Sequence, residues 1–215
     1  MLDVLIRNFG LLLSGAGMTL YLSAASAAIA SIGGMILALL RVFGTRPVSW
    51  AAEAYLYLVR GIPLIVLLFA MYYLLPYSGF DIDTMVGGIL VIGMYFSAYM
   101  SEVFRSALQS VVKGQWDAGR ALGMHGFSLL MIVILPQALR LAAPPFISTC
   151  IMLVKGTAVV SIIGLFELTM AGRQIVERTL APFQILLGVA GIYFVICYGL
   201  SLIGRFIEAR ASHVA

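Results

Sequence analysis

From Phe9 to Leu40 the chain carries no charged residue, and no other feature narrows its possible folds so far. A helix crossing the hydrocarbon core of a bilayer needs about 20 mainly apolar residues. This run exceeds that length. It is also rich in Ser, Ala and Gly, including Ser23-Ala24-Ala25-Ser26-Ala27-Ala28. Small residues let helices approach closely in lipid, so the segment reads as a spanning helix packed on several sides. A cleaved signal peptide is the alternative, because the Ala-rich stretch offers cleavage sites. Against it, the apolar run is too long and continues past those sites, and Asp3 offsets Arg7.

The rest of the sequence repeats the pattern. Hydrophobic residues make up 62% and charged residues 10%, with a mean hydropathy of +1.08. Soluble chains are roughly 45–50% apolar and about 25% charged, so this surface cannot be solvated by water and a soluble globular domain is excluded. The net charge of +4 is modest and scattered. It reads as membrane topology rather than a nucleic-acid footprint. Cys150 and Cys197 both lie in apolar runs, with neither metal-ligand spacing nor a disulfide framework, and read as packing residues.

Further spans are expected from Arg60-Gly61-Ile62-Pro63 to near Pro76, from Met85 to about Arg105, from near Phe127 to Lys155, and from Phe183 to about Gly204. Pro63 suits a helix start or a bend in a longer helix. The expected fold class is therefore all-α, a polytopic membrane protein of five transmembrane helices forming a single domain over residues 1–215. Placing the N-terminus outside puts Arg41, Arg46, Arg60, Arg105, Lys113, Arg120, Arg140, Arg205 and Arg210 at cytoplasmic ends. Arg7, Lys155, Arg173 and Arg178 then lie outside or within the membrane, and the short loop with Asp81 and Asp83 lies outside. The positive-inside rule thus predicts the N-terminus out and the C-terminus in.

Two connections interrupt the pattern. Ser106 to Gly126 is the longest cytoplasmic one, and within it Gln115 to Leu122 is expected to form a short helix ended by Gly123. Exposed Trp116 and Leu122 there require either a covering partner or a place at the lipid interface. The second, Gly156 to Phe166, is too apolar for an aqueous loop, yet Lys155 and Gly156 interrupt the helical run before it. It is expected to be a broken or re-entrant element beside a translocation path, since non-helical backbone at that depth must be surrounded by protein or a cavity.

Asp117-Ala118-Gly119, then Gly123, then Ile134-Leu135-Pro136 closely resembles the signature of permease subunits of bacterial ATP-binding-cassette (ABC) importers. That signature has a glutamate-alanine-alanine triplet, a glycine, and isoleucine-x-leucine-proline. Other blocks resemble the polar-amino-acid branch: Arg60-Gly61-Ile62-Pro63-Leu64, Ser97-Ala98-Tyr99-Met100-Ser101-Glu102, Gly114-Gln115, Leu135-Pro136-Gln137-Ala138 and Val160-Ser161-Ile162-Ile163-Gly164. Together they cover nearly the whole chain in order. The resemblance implies a type I importer permease in the bacterial inner membrane. It further implies an identical or homologous second permease, a pair of cytoplasmic ATPase subunits, and an extracytoplasmic solute-binding protein delivering an amino-acid-like solute. The loop at about 106–126 would then be the coupling helix, docking on the ATPase through Trp116, Asp117, Ala118, Gly119, Leu122 and Gly123. Gly119 in place of alanine lowers helix propensity by up to about 1 kcal/mol and puts local rigidity in question. The chain has no GxxxxGK[ST] phosphate loop, so ATP hydrolysis falls to the partner.

For the solute path, Lys155 is a candidate because intramembrane ionisable residues are functional by default. It either holds a carboxylate or snorkels to the outer headgroups. Tyr95, Tyr99 and Glu102 share one helix face. That face either lines the path or packs between helices, with Glu102 paired to Arg105. Leu64 matches a pocket-lining position of related permeases, or packs in the core. Relatives carrying basic amino acids often have a small amide at the place of Tyr95 and an acid at that of Gly156. If this subunit supplies the pocket, the expected solute is therefore not arginine but a neutral or acidic amino acid, an opine or an ectoine-like compound; alternatively the partner permease holds the only site and this subunit is structural. A stand-alone secondary transporter or channel, with Lys155 and Glu102 as coupling charges, is the other reading; five spans without an internal repeat argue against it. A membrane enzyme lacks its catalytic cluster: His125 and His213 have no ligand spacing around them, and neither a metal nor a cofactor is expected.

Overall fold

The computed structural model describes residues 2–211, with the side chains of residues 3–207. His213 and the Arg210 side chain lie outside that description. All regular elements among the described residues are helical: α1 (Leu2–Phe43), α2 (Arg46–Gly61), α3 (Leu64–Tyr77), α4 (Thr84–Ser110), α5 (Lys113–Ala121), α6 (Gly126–Ile163), α7 (Leu168–Thr179) and α8 (Pro182–Ala211). Helices α1, α4, α6 and α8 are each long and apolar enough to cross a membrane, and α2 with α3 forms a pair bent by 97°. The expected five spans appear if that pair is one broken span.

The bend has a local cause. Ile62 precedes Pro63 and is extended, with φ −105° and ψ 131°, because a residue before proline is pushed out of the helical region. Helix α3 then starts at Leu64. At about 1.5 Å per residue it reaches only about 21 Å, short of the roughly 30 Å core. The expected span from Arg60 is thus corrected: it begins only at Leu64, and Arg60 and Gly61 close a separate amphipathic helix, α2.

Two other prolines are accommodated by widening the helix. Pro76 and Pro136 each follow a π-helical turn, Ala70–Leu74 and Leu130–Ile134. A proline offers no N–H and its ring collides with the carbonyl four residues back, that of Tyr72 or Ile132. A wider turn moves that carbonyl aside.

The core is organised around α1 and α4, which run side by side in the same direction. Ser26 Oγ donates to the Ile89 carbonyl at 3.2 Å, and farther along Arg41 reaches Glu102. Small residues permit this approach. A Cβ at Gly34 would lie 2.5 Å from Met100 Cβ, and one at Gly93 2.7 Å from Ile29 Cγ2. Leu22, Ala30, Ile92, Phe96 and Met100 are buried between the helices.

The segment after Lys155 differs from expectation. Helix α6 does not break at Gly156, whose φ of −64° and ψ of −27° are helical. The missing side chain instead admits the Phe96 ring, whose Cε2 would lie 3.1 Å from a Cβ there. The helix then tightens into a 3₁₀ segment, Thr157–Ile163, and turns only at Gly164, where φ is +80°, a backbone that glycine adopts without cost. Glu167 caps α7 by accepting a hydrogen bond from the Met170 amide at 2.8 Å.

Candidate functional site

Periodicity on α4 brings Tyr95, Tyr99 and Glu102 to one face, as expected. The two tyrosine hydroxyls lie 3.1 Å apart and their rings 5.3 Å apart. Leu64, at the start of α3, joins the same neighbourhood: it packs in the main core beside Tyr95 and Phe96 and approaches Gly156.

Glu102 is held by more than the Arg105 next to it in the helix. Its Oε2 accepts from Arg105 Nη2 at 2.9 Å and Nε at 3.2 Å. Its Oε1 accepts from Arg41 Nη2 at 3.1 Å and lies 3.7 Å from Arg60 Nη1. The Arg60 guanidinium also sits over the Tyr99 ring, 5.2 Å from its centroid, a cation–π arrangement. Three guanidiniums from α1, α2 and α4 therefore converge on one carboxylate. Between these helices opens a cleft of about 440 Å³, lined by Arg41, Glu53, Leu56, Tyr57, Arg60, Gly61, Tyr99 and Glu102.

Lys155 is not part of this cleft. It is exposed, forms no ion pair among the described residues, and lies within electrostatic reach of Cys197 on α8. Its depth is informative: the neighbouring Gly156 abuts Phe96, midway along α4.

At the other candidate region, α5 begins two residues earlier than expected and ends at Ala121, capped by Leu122 and followed by Gly123 with φ +74°. Trp116 is half-buried rather than exposed: it packs in the main core and its ring lies 6.1 Å from that of Phe43. Leu122, by contrast, is 82% exposed. Gly119 is buried, and a Cβ there would collide with Leu129 Cδ1, so the glycine fits the Leu129 side chain rather than loosening the helix. Asp117 and Arg120 form an exposed pair at 3.8 Å, and Ala118 is exposed beside them.

Residues 30–213 match the family model described as binding-protein-dependent transport system inner membrane component. The chain belongs to this family. The permease is 36% identical to the L-cystine transport system permease protein TcyB of Bacillus subtilis over 97% of its own length and 90% of the relative's. It is 33% identical to the glutamine transport system permease protein GlnP of Escherichia coli, over 93% and 92% of the two chains. Its fold superposes on a chain from a crystal structure of an amino acid ABC transporter with histidines at a TM-score of 0.91 and 31% identity, covering 98% of both chains. A chain of an inward-facing MetNI methionine ABC transporter shares the fold at a TM-score of 0.81 and 20% identity. The all-α architecture is therefore that of ABC importer permeases, and the protein is a multi-pass membrane component of such a system.

Arg41, Arg60 and Glu53 are the cleft residues that sequence reasoning missed. Arg41 entered only as a topology charge, and Arg60 as a topology charge and the first residue of a family-like block. Their convergence had one local signal, the Arg60-Gly61-Ile62-Pro63 block that bends the chain back toward α4.

Proposed function

We propose that the permease translocates a polar amino acid or amino-acid-like solute into the bacterial cytoplasm, driven by a partner ATPase and supplied by an extracytoplasmic solute-binding protein. The observation that carries this reading is the end-to-end likeness, above 30% identity, to permease proteins named for L-cystine and glutamine transport. In this reading the N-terminus is out and the C-terminus in, so the Arg41 end of α1 and the Glu102 end of α4 face the cytoplasm. Helix α5 lies on that side and offers Leu122, Asp117, Ala118, Trp116, Gly119 and Gly123 as its docking element. A second permease, identical or homologous, completes the path.

Tyr95, Tyr99, Leu64 and Glu102 form the wall along which the solute moves. Lys155 faces the path from α6, because a mid-membrane ammonium that is not covered by its own chain is costly against lipid. A neutral or acidic amino acid suits this wall better than arginine, since Glu102 is already occupied by three guanidiniums.

The test is uptake into proteoliposomes containing the permease complex co-purified from its host, with L-cystine and L-glutamine as probes. ATP-dependent, binding-protein-dependent uptake of either is expected, with arginine failing to compete. Uptake that proceeds without ATP would instead make the protein a secondary transporter.

A further inference from the structure

Two of the three arginines around Glu102 have guanidinium nitrogens without a hydrogen bond. Arg105 engages all three of its nitrogens, with Glu102 and with Gln109 Oε1 at 2.8 Å. Arg41 does not: its side chain is only 9% exposed, its Nη1 donates to Ser101 Oγ at 3.5 Å, and its buried Nε makes no hydrogen bond among the described residues. Arg60 forms no hydrogen bond among the described residues either; it has only the 3.7 Å ion pair and the Tyr99 ring. A buried, charged donor left unpaired is costly, typically about 1–3 kcal/mol or more. Three cations also outweigh the one carboxylate they share. The accessible, unbonded Arg60 guanidinium and the excess of positive charge therefore point to a missing anion.

The cleft has the size and the second charge to receive one. Its volume of about 440 Å³ falls within the roughly 300–1,000 Å³ of small-molecule sites. Glu53 lines it, half-buried and without an ion pair among the described residues. Arg41 and Arg60 on one side and Glu53 on the other match the two charges of an α-amino acid. The position also fits, for Tyr99 belongs both to the cleft and to the tyrosine pair. A solute moving along α4 from Tyr95 toward Glu102 arrives at this cleft next.

We infer that the cleft between α1, α2 and α4 is an inner solute subsite, where Arg60 and Arg41 receive the carboxylate and Glu53 the ammonium of an amino acid leaving the tyrosine face. This rests on the import reading above. Carboxylate and phosphate are alike to a guanidinium fork, so an anionic lipid headgroup is the competing source of the anion.

The experiment uses the complete transporter in proteoliposomes, with Cys150 and Cys197 replaced by serine and Tyr57→Cys introduced at the exposed lip of the cleft. The probe is the anionic thiol reagent methanethiosulfonate ethylsulfonate, applied in phosphatidylcholine vesicles. L-glutamine should slow labelling several-fold, whereas glutaminamide, which lacks the carboxylate, should not. With Arg60→Gln added, equal protection should need roughly ten- to a hundredfold more L-glutamine, the loss expected for one charge-assisted hydrogen bond; Arg60→Lys should restore part of it. Protection by both compounds, or by neither, would overturn the subsite. So would protection by phosphatidylglycerol alone, which would assign the anion to lipid. ATP-driven uptake by the parent complex is measured in parallel: uptake without carboxylate-specific protection removes the subsite and leaves the import reading standing.

Discussion

At Gly34 a single methyl group has no room. A Cβ there would sit 2.5 Å from Met100 Cβ and 3.0 Å from the Met100 carbonyl carbon, and backbone on α4 cannot swing aside as a flexible side chain can. Gly17, on the same helix, has nothing within 4 Å. The two glycines therefore separate packing from helix propensity. Gly34→Val is expected to cost about 1–3 kcal/mol through overpacking and to lower the thermal stability of the detergent-solubilised protein. Gly17→Ala is expected to be neutral or slightly stabilising. Equal effects at both sites would show that α1 and α4 do not make this contact. Glu167 obeys the same logic of tight fit with polar atoms. Fully buried, it accepts from the Tyr193 hydroxyl at 2.8 Å, from the Met170 amide and from Thr19 Oγ1 at 3.4 Å, which ties α7 to α1 and α8.

Among elements, legibility followed hydropathy. The long apolar helices α1, α4, α6 and α8 were readable because lipid demands unbroken apolar runs of known length. Helices α2 and α7 were not read: Arg46, Glu53 and Arg60 in one, and Arg173, Glu177 and Arg178 in the other, give them the polarity of loops. At Gly156 the α-helical winding does give way, but to a 3₁₀ segment rather than a break; sequence shows the missing side chain but not the Phe96 ring that fills its place. The tyrosine face could be found by helical period alone, which links residues within one helix. Arg41 and Glu102 are 61 residues apart, and no periodicity reaches that far. Helix α5 was found because a glycine, Gly123, marks its end, and its φ of +74° in the structure agrees. Its uncovered side chains include the apolar Leu122 and the Asp117 carboxylate, whereas Trp116 is already packed on Phe43. Leu122→Asp combined with Asp117→Lys should therefore abolish co-purification of the ATPase while membrane insertion stays at the parent level. Trp116→Ala should instead lower stability as well. Retained ATPase in the double variant would remove α5 from the docking surface.

For the whole molecule, the decisive quantity is where charge sits relative to the bilayer. The Arg41, Arg60, Glu102 and Arg105 cluster solves part of the problem internally, one carboxylate being shared by guanidiniums from three helices. Lys155 has no such partner: it is exposed and forms no ion pair among the described residues, and its neighbour Gly156 abuts Phe96, midway along α4. Snorkelling serves lysines near helix ends, and a residue at the level of mid-α4 is far from either. An isolated ammonium at the bilayer centre costs about 2.5–3.5 kcal/mol on insertion scales, so a chain that keeps one there must gain by facing water, solute or a second permease. Lys155→Met removes that cost. It should raise, or leave unchanged, the stability and insertion of the protein while lowering the rate of uptake by about tenfold or more, the loss of one charge-assisted contact. Stability and uptake falling together would mean that Lys155 is an interface residue holding two permeases together. Uptake unchanged would mean that the ammonium reaches the headgroups after all and takes no part in the path.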